Sequence, residues 1–131
     1  MAEYLPRFDP GDSFTTQASA AITGGRLVAV SGSGTVATAA AASDHVVGVA
    51  ATDVAASGDK FTVYPIRGGG VHKLVASGAI TAGDGVVADT GGKVKTAPTS
   101  TATQAATGAL IGIALTTTAA DGDICDVLTG G

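Results

Sequence analysis

The chain has 131 residues, a net charge of −4 and 14% charged residues; its seven Lys and Arg form no basic run, which excludes free nucleic-acid binding. Hydrophobic residues reach 45%, yet only the two Tyr and three Phe are aromatic, so an aliphatic and thin core is implied, too apolar for a disordered chain. A single cysteine, Cys125, excludes an intrachain disulfide and a cysteine-built zinc site, and no apolar run approaches the roughly 18 residues of a membrane-spanning helix.

The N-terminus comes first and differs in kind. Met1 to Gln17 carries Pro6 and Pro10 and holds three of the aromatics, Tyr4, Phe8 and Phe14. It has no apolar stretch behind a basic region, so it is not a secretion signal, and synthesis in the cytoplasm is expected. Proline disfavours regular structure here, so residues 1–17 are predicted to be an extended arm. Its aromatics either fold back on the core or anchor in a partner's grooves, with backbone pairing along a sheet edge.

From Ala18 onward the sequence repeats itself. Ala18 to Ala39 matches Ala76 to Ala97 at an offset of 58, with eleven of 22 positions identical. Val46 to Pro65 then lies over Leu110 to Thr129 at an offset of 64, bringing Gly48 on to Gly112, Gly58 on to Gly122 and Asp59 on to Asp123. The predicted plan is repeat one over 18–65, a linker over 66–75 and repeat two over 76–129, all within a β domain spanning 18–131. The six extra residues of the second copy belong in the polar stretch from Pro98 to Thr103.

In copy one, strands at Arg26 to Val30 and Thr35 to Ala39 flank the turn Ser31-Gly32-Ser33-Gly34, where glycine supplies positive φ. Thr38 to Ser43 is rich in Ala and reads as a turn or two of helix. Val46 to Ala51 is nearly continuous apolar sequence around a glycine, the pattern of a strand buried on both faces. Gly58-Asp59 turns the chain into a strand from Lys60 to Ile66. Arg67-Gly68-Gly69-Gly70 offers a backbone nest for an anion or, more simply, a flexible loop, and Val71 to Ala76 is a strand linking the copies. Copy two follows the same plan: Gly85 to Ala88 and Lys93 to Thr96 around Asp89-Thr90-Gly91-Gly92, a short helical segment at Thr101 to Ala106, then Leu110 to Leu115 and Ile124 to Leu128. The fold class expected is all-β: a small, mostly antiparallel barrel or sandwich, tulip-like, with two internal repeats and the N-terminal arm.

The chemistry-bearing patterns fail on context. Gly83-Asp84-Gly85-Val86-Val87-Ala88 fits G-x-G-x-x-A, but Gly91-Gly92 follow too soon for the helix a pyrophosphate needs, and nothing acidic stands between Asp89 and Asp121. Lys93 lacks a P-loop's flanking residues. The acids from Asp121 to Asp126 lack calcium-loop spacing, and Asp59 and Asp123, each after a glycine, suit turns in which the side chain bonds nearby backbone. Two histidines, His45 and His72, one Cys and one Glu, Glu3, make a poor catalytic pool, with a His72–Cys125 pair as the sole arrangement worth weighing. Catalytic, cofactor-binding and metal-binding residues are therefore all expected to be none.

The arm followed by A-x-A-A-I-T-x-G-x-x-V, G-x-V, V-V-G-V-A and G-D-x-x-x-V resembles the capsid decoration (cement) proteins of tailed bacteriophages, with copy two, AITAGDGVVADTGGKVKTA and LIGIA, carrying the resemblance best. The resemblance covers nearly the whole chain. It implies a homotrimer bound to the major capsid protein on the outer surface of the virion, at three-fold and quasi-three-fold positions, with arms lying on the shell and no membrane partner. Shell contacts would fall on Tyr4, Leu5, Pro6, Phe8 and Phe14, with Arg7 meeting a carboxylate, and a chain cut after Gln17 would fold without binding. The other reading is a β-rich receptor- or glycan-binding module of a phage tail fibre or surface adhesin.

Overall fold

The computed structural model describes residues 13–67, 70–98 and 108–130. The architecture is all-β, as expected. Strands β1 (Phe14–Ala18), β2 (Leu27–Gly32), β3 (Thr35–Thr38), β4 (Val46–Ala50) and β5 (Lys60–Pro65) close a barrel in the order β1-β3-β2-β4-β5. Strands β6 (Gly70–Val75), β7 (Gly85–Asp89), β8 (Lys93–Thr96), β9 (Leu110–Ala114) and β10 (Ile124–Thr129) form a second five-stranded sheet, β6-β10-β9-β7-β8. Pairing is antiparallel except where β1 meets β3 and where Ala76 bridges Val94.

The two ladders coincide along most of their length, the exceptions being a bulge in the β2–β3 hairpin and the β1–β3 pairing, which the second sheet keeps only as one bridge. Phe14 opposite Val63 and Gln17 opposite Lys60 become His72 opposite Val127 and Val75 opposite Ile124, after adding 58 on one strand and 64 on the other. Leu27 opposite Val49 becomes Gly85 opposite Ile113, and both β2–β4 and β7–β9 shift register at the next step, after Val28 and after Val86. Gly48 and Gly112 sit opposite those bulge sites. A Cβ on Gly48 would run into the Tyr64 carbonyl, and one on Gly112 into the Leu128 carbonyl. Each glycine therefore lets two strands approach more closely than any side chain allows.

The interior of the barrel is one apolar cluster, containing Ile22, Val28, Val36, Val54, Phe61 and Val63, with Phe14 packed against it. A second cluster fills the other sheet with Ile80, Val86, Val94, Cys125 and Val127, and extends across to the outer face of β2 and β4 through Leu27, Ala29, Val46 and Val49. The halves thus share a core. Alternation decides which face does which: Val28 points into the barrel while Leu27 and Ala29 point at the second half. At the seam, Arg26 Nη1 donates to the Gly91 carbonyl at 2.9 Å, Gly92 N to the Ala39 carbonyl at 3.1 Å and Ala42 N to the Ala88 carbonyl at 2.9 Å.

Two expectations meet a different structure. Residues Phe14–Gln17, assigned to the arm, begin β1 and pair with both β3 and β5, because alternating Phe14 and Thr16 lean inward while Thr15 and Gln17 face water. The strand expected at Val71 to Ala76, within and just beyond the linker, is present as β6, and it matches β1 in the second ladder. No helix forms from Thr38 to Ser43: Thr38 ends β3, Ala39 and Ala42 give their N–H groups to Leu27 and Ala88 across the fold, and Ala42 sits at φ 55. Tertiary hydrogen bonds outweigh the weak helix preference of a few alanines. The segment from Thr101 to Ala106 lies outside the described residues, as do Gly68 and Gly69 of the possible anion nest.

Candidate functional site

Of the residues expected to contact a partner, Tyr4, Leu5, Pro6, Arg7 and Phe8 lie outside the described residues. Phe14 is placed: it opens β1 opposite Val63, half-buried against the barrel core. Its ring packs against the barrel core while staying partly exposed.

The candidates for chemistry are dispersed. His45 Nε2 lies 3.4 Å from Asp44 Oδ1, with both side chains mostly in water. His72 Nε2 is 3.2 Å from the Pro65 carbonyl. Cys125 is fully buried, with its Sγ 3.9 Å from Thr116 Oγ1 and 3.5 Å from the Thr116 carbonyl, so the weighed His72–Cys125 pair is engaged elsewhere on both sides. Among the described residues no group of three or more His, Cys, Asp or Glu is gathered to hold a metal ion. A cleft of about 350 Å³ on the barrel wall is lined by Thr15, Thr16, Gln17, Gly34 and Lys60. It offers hydroxyls, an amide and one cation, with no acid–base pair facing it.

The dinucleotide-like stretch is a turn, strand and turn. Asp84 Oδ2 accepts from Thr81 N at 3.1 Å and Thr96 Oγ1 at 3.0 Å, β7 follows, and Thr90–Gly92 is a single 3₁₀ turn. Asp123 does for its own turn what its place after a glycine predicts, accepting from Ala119 N and Ala120 N, both at 3.0 Å.

Among the described residues, Asp89 is the one carboxyl with a clear shift. The Ser77 hydroxyl donates to Oδ2 at 2.6 Å and Thr90 N to Oδ1 at 2.8 Å, and Lys95 Nζ stands 3.7 Å away. These hold its pKa below the ordinary carboxyl range, Ser77 contributing most, against a smaller opposing effect of burial. The stabilisation is therefore complete above the unfolded-state carboxyl pKa and is lost as pH falls through the lower folded value. Asp89→Asn is expected to cost about 1 kcal/mol at pH 7 and less at pH 3, as read by urea unfolding at both. Copy one provides the uncharged control: Ser19 and Ser31 occupy the places of Ser77 and Asp89, Oγ to Oγ at 2.7 Å.

What the molecule presents, then, is duplicated β scaffolding without an assembled reaction centre among the described residues. A family model described as phage cement protein matches residues 8–129. The chain belongs to the phage cement protein family. The match runs from Phe8 through both sheets to the end of β10, so membership rests on the whole duplicated domain. It makes the chain a structural protein of the bacteriophage virion. A solved structure, the head fiber gp8.5 N base of bacteriophage phi29, shares the fold with a TM-score of 0.66 at 21% identity, over 91% of this chain and 93% of that one. Comparison with curated proteins returned no match.

Sequence reasoning missed one surface of this cement protein. The outer face of β6 and β10 exposes Val71, Ile124 and Leu128, each about half accessible. The alternation of Val71 with His72 and of Leu128 with Val127 contains the signal, which becomes legible once both strands are known to share a sheet.

Proposed function

We propose that this cement protein binds the outer surface of an icosahedral phage head as a homotrimer, at three-fold and quasi-three-fold positions, and stabilises the shell by bridging neighbouring copies of the major capsid protein. The family match over residues 8–129 carries the reading. The thin aliphatic core and the scattered titratable groups support a protein that acts by burying surface. Three arms on one trimer bind with avidity, and a ligand that prefers the expanded shell stabilises it by mass action. Tyr4, Leu5, Pro6, Arg7 and Phe8 are the proposed shell contacts, with Phe14 fixing the arm's origin on the barrel. The glycan- or receptor-binding reading draws little support: of the aromatics outside the first 14 residues, Phe61 is core at 7% exposure and Tyr64 alone is exposed.

The test is truncation at the correct place. Removing residues 1–17 would take away β1, which closes the barrel, so loss of binding would report unfolding. Removing residues 1–12 spares β1. That variant is expected to keep its far-UV spectrum and melting temperature while losing occupancy on purified heads by on the order of 100-fold, the scale on which a few buried aromatic anchors act. Full occupancy by the shortened chain would sink the arm contacts.

A further inference from the structure

We infer that the outer face of β6 and β10 is the surface through which copies of this chain associate, an assignment that rests on the trimer proposed above. On this face Val71 stands beside Leu128 and Val75 beside Ile124, with Ile113 of β9 on the far side of Leu128. Between the two rows lies one ion pair, Lys73 Nζ to Asp126 Oδ1 at 3.1 Å. Val71 is 56% exposed, Ile124 54% and Leu128 47%, and Leu115 beside Asp126 is 48% exposed. Such a patch in water is unfavourable and marks a site of association.

The barrel is a built-in control. Its matching face keeps the register from Phe14 to Gln17 but carries Thr15 for Lys73, Gln17 for Val75, Lys60 for Ile124 and Thr62 for Asp126. Tyr64, half exposed, stands in the place of Leu128 and Ser13, by sequence, in the place of Val71. The architecture therefore does not require apolar residues there. Around its edge strand one copy carries Thr15, Gln17, Lys60 and Thr62 where the other carries Val75 and Ile124 about a single ion pair, so the difference reflects what the second face meets.

Three observations point to another copy of this chain as the occupant. The face is neutral as a whole, with one cation and one carboxylate at its middle, so around a three-fold axis each copy can offer its Lys73 to the next copy's Asp126 without gathering like charge. It is aliphatic, like the seam that already joins the two halves through Leu27, Ala29 and Val46, and has no aromatic ring to stack on a sugar. Finally, β6 is an edge strand, paired along its length with β10 and touching β8 through the adjacent Ala76–Val94 bridge. An uncovered edge beside an apolar face invites indiscriminate pairing, and closed association removes it.

The decisive variant is Val71→Ser/Val75→Gln/Ile124→Lys, which gives the second sheet the residues its counterpart already tolerates. Mass photometry and light scattering on the full chain should show a trimer for the parent. The triple variant should be a folded monomer with an unchanged far-UV spectrum, its dissociation constant raised at least about 100-fold. Lys60→Glu, on the barrel's matching face, should assemble like the parent. If the parent is trimeric and the triple variant equally so, this interface is wrong and the trimer stands. A parent that is monomeric both free and on heads overturns trimer and interface together. Should such a monomer lose head binding with the triple variant, the face belongs to the shell, and the inference is likewise overturned.

Discussion

Gly112→Ala is expected to abolish cooperative folding or to lower the melting temperature by more than about 12 °C, with its added Cβ making the tightest contact among the described glycines. The added Cβ would meet the Leu128 carbonyl and then the carbonyl carbon, 2.9 Å away, and backbone in the middle of a ladder has no rotamer into which to retreat. Opening β9 from β10 to make room would break the bonds that align Gly112 with Thr129 and Ile113 with Leu128. Gly48→Ala should behave alike against Tyr64, because the same bulge recurs in the barrel. Gly78→Ala is the control: nothing lies within 4 Å of its added Cβ, and it should fall within about 0.5 kcal/mol of the parent. Calorimetry or thermal circular dichroism decides; a Gly112→Ala protein melting within a few degrees of the parent would show that the strands separate easily.

The second large effect separates conformation from contact. Gly34 and Gly92 are matched positions with nearly the same backbone, φ +73 and +71, so alanine at either costs about 1–2 kcal/mol for the left-handed conformation alone. At Gly34 the cost ends there, since no atom lies within 4 Å. At Gly92 the Cβ would stand 2.8 Å from the Leu27 carbonyl oxygen and 2.9 Å from Arg26 Cβ, so it must also push the halves apart. Gly92→Ala is expected to cost at least about 2 kcal/mol more than Gly34→Ala in urea unfolding. Equal costs would mean that the seam yields, and that the two halves are coupled more loosely than their shared core implies.

Much of this was legible from residues 18–129 because a duplication writes its own alignment. The offsets of 58 and 64 came from glycines and β-branched residues, and they also align the hydrogen-bonded ladders. The rejection of GDGVVA as a phosphate loop was likewise readable, since a helix cannot fit between Asp89 and Gly92. Boundaries were harder. Phe14 to Gln17 looked like arm because the proline-rich context precedes it, and nothing local says that Thr15 and Gln17 will meet Thr62 and Lys60, some 45 residues on. The alanines after Thr38 misled because helix preference is a local quantity, while the partners of their N–H groups lie across the fold at Leu27 and Ala88.

The sequence by itself determined the all-β class, the duplicated plan, the turn positions and the family resemblance, because alternation, glycine punctuation and repetition are properties of neighbours along the chain. Tertiary structure alone decided that β1 belongs to the barrel, that Leu27 and Gly92 meet at a seam, and that Val71, Ile124 and Leu128 gather on one exposed face. Those facts depend on which strands lie side by side. Pairing between residues dozens of positions apart is set by the free energy of the whole core, which no short window of sequence contains.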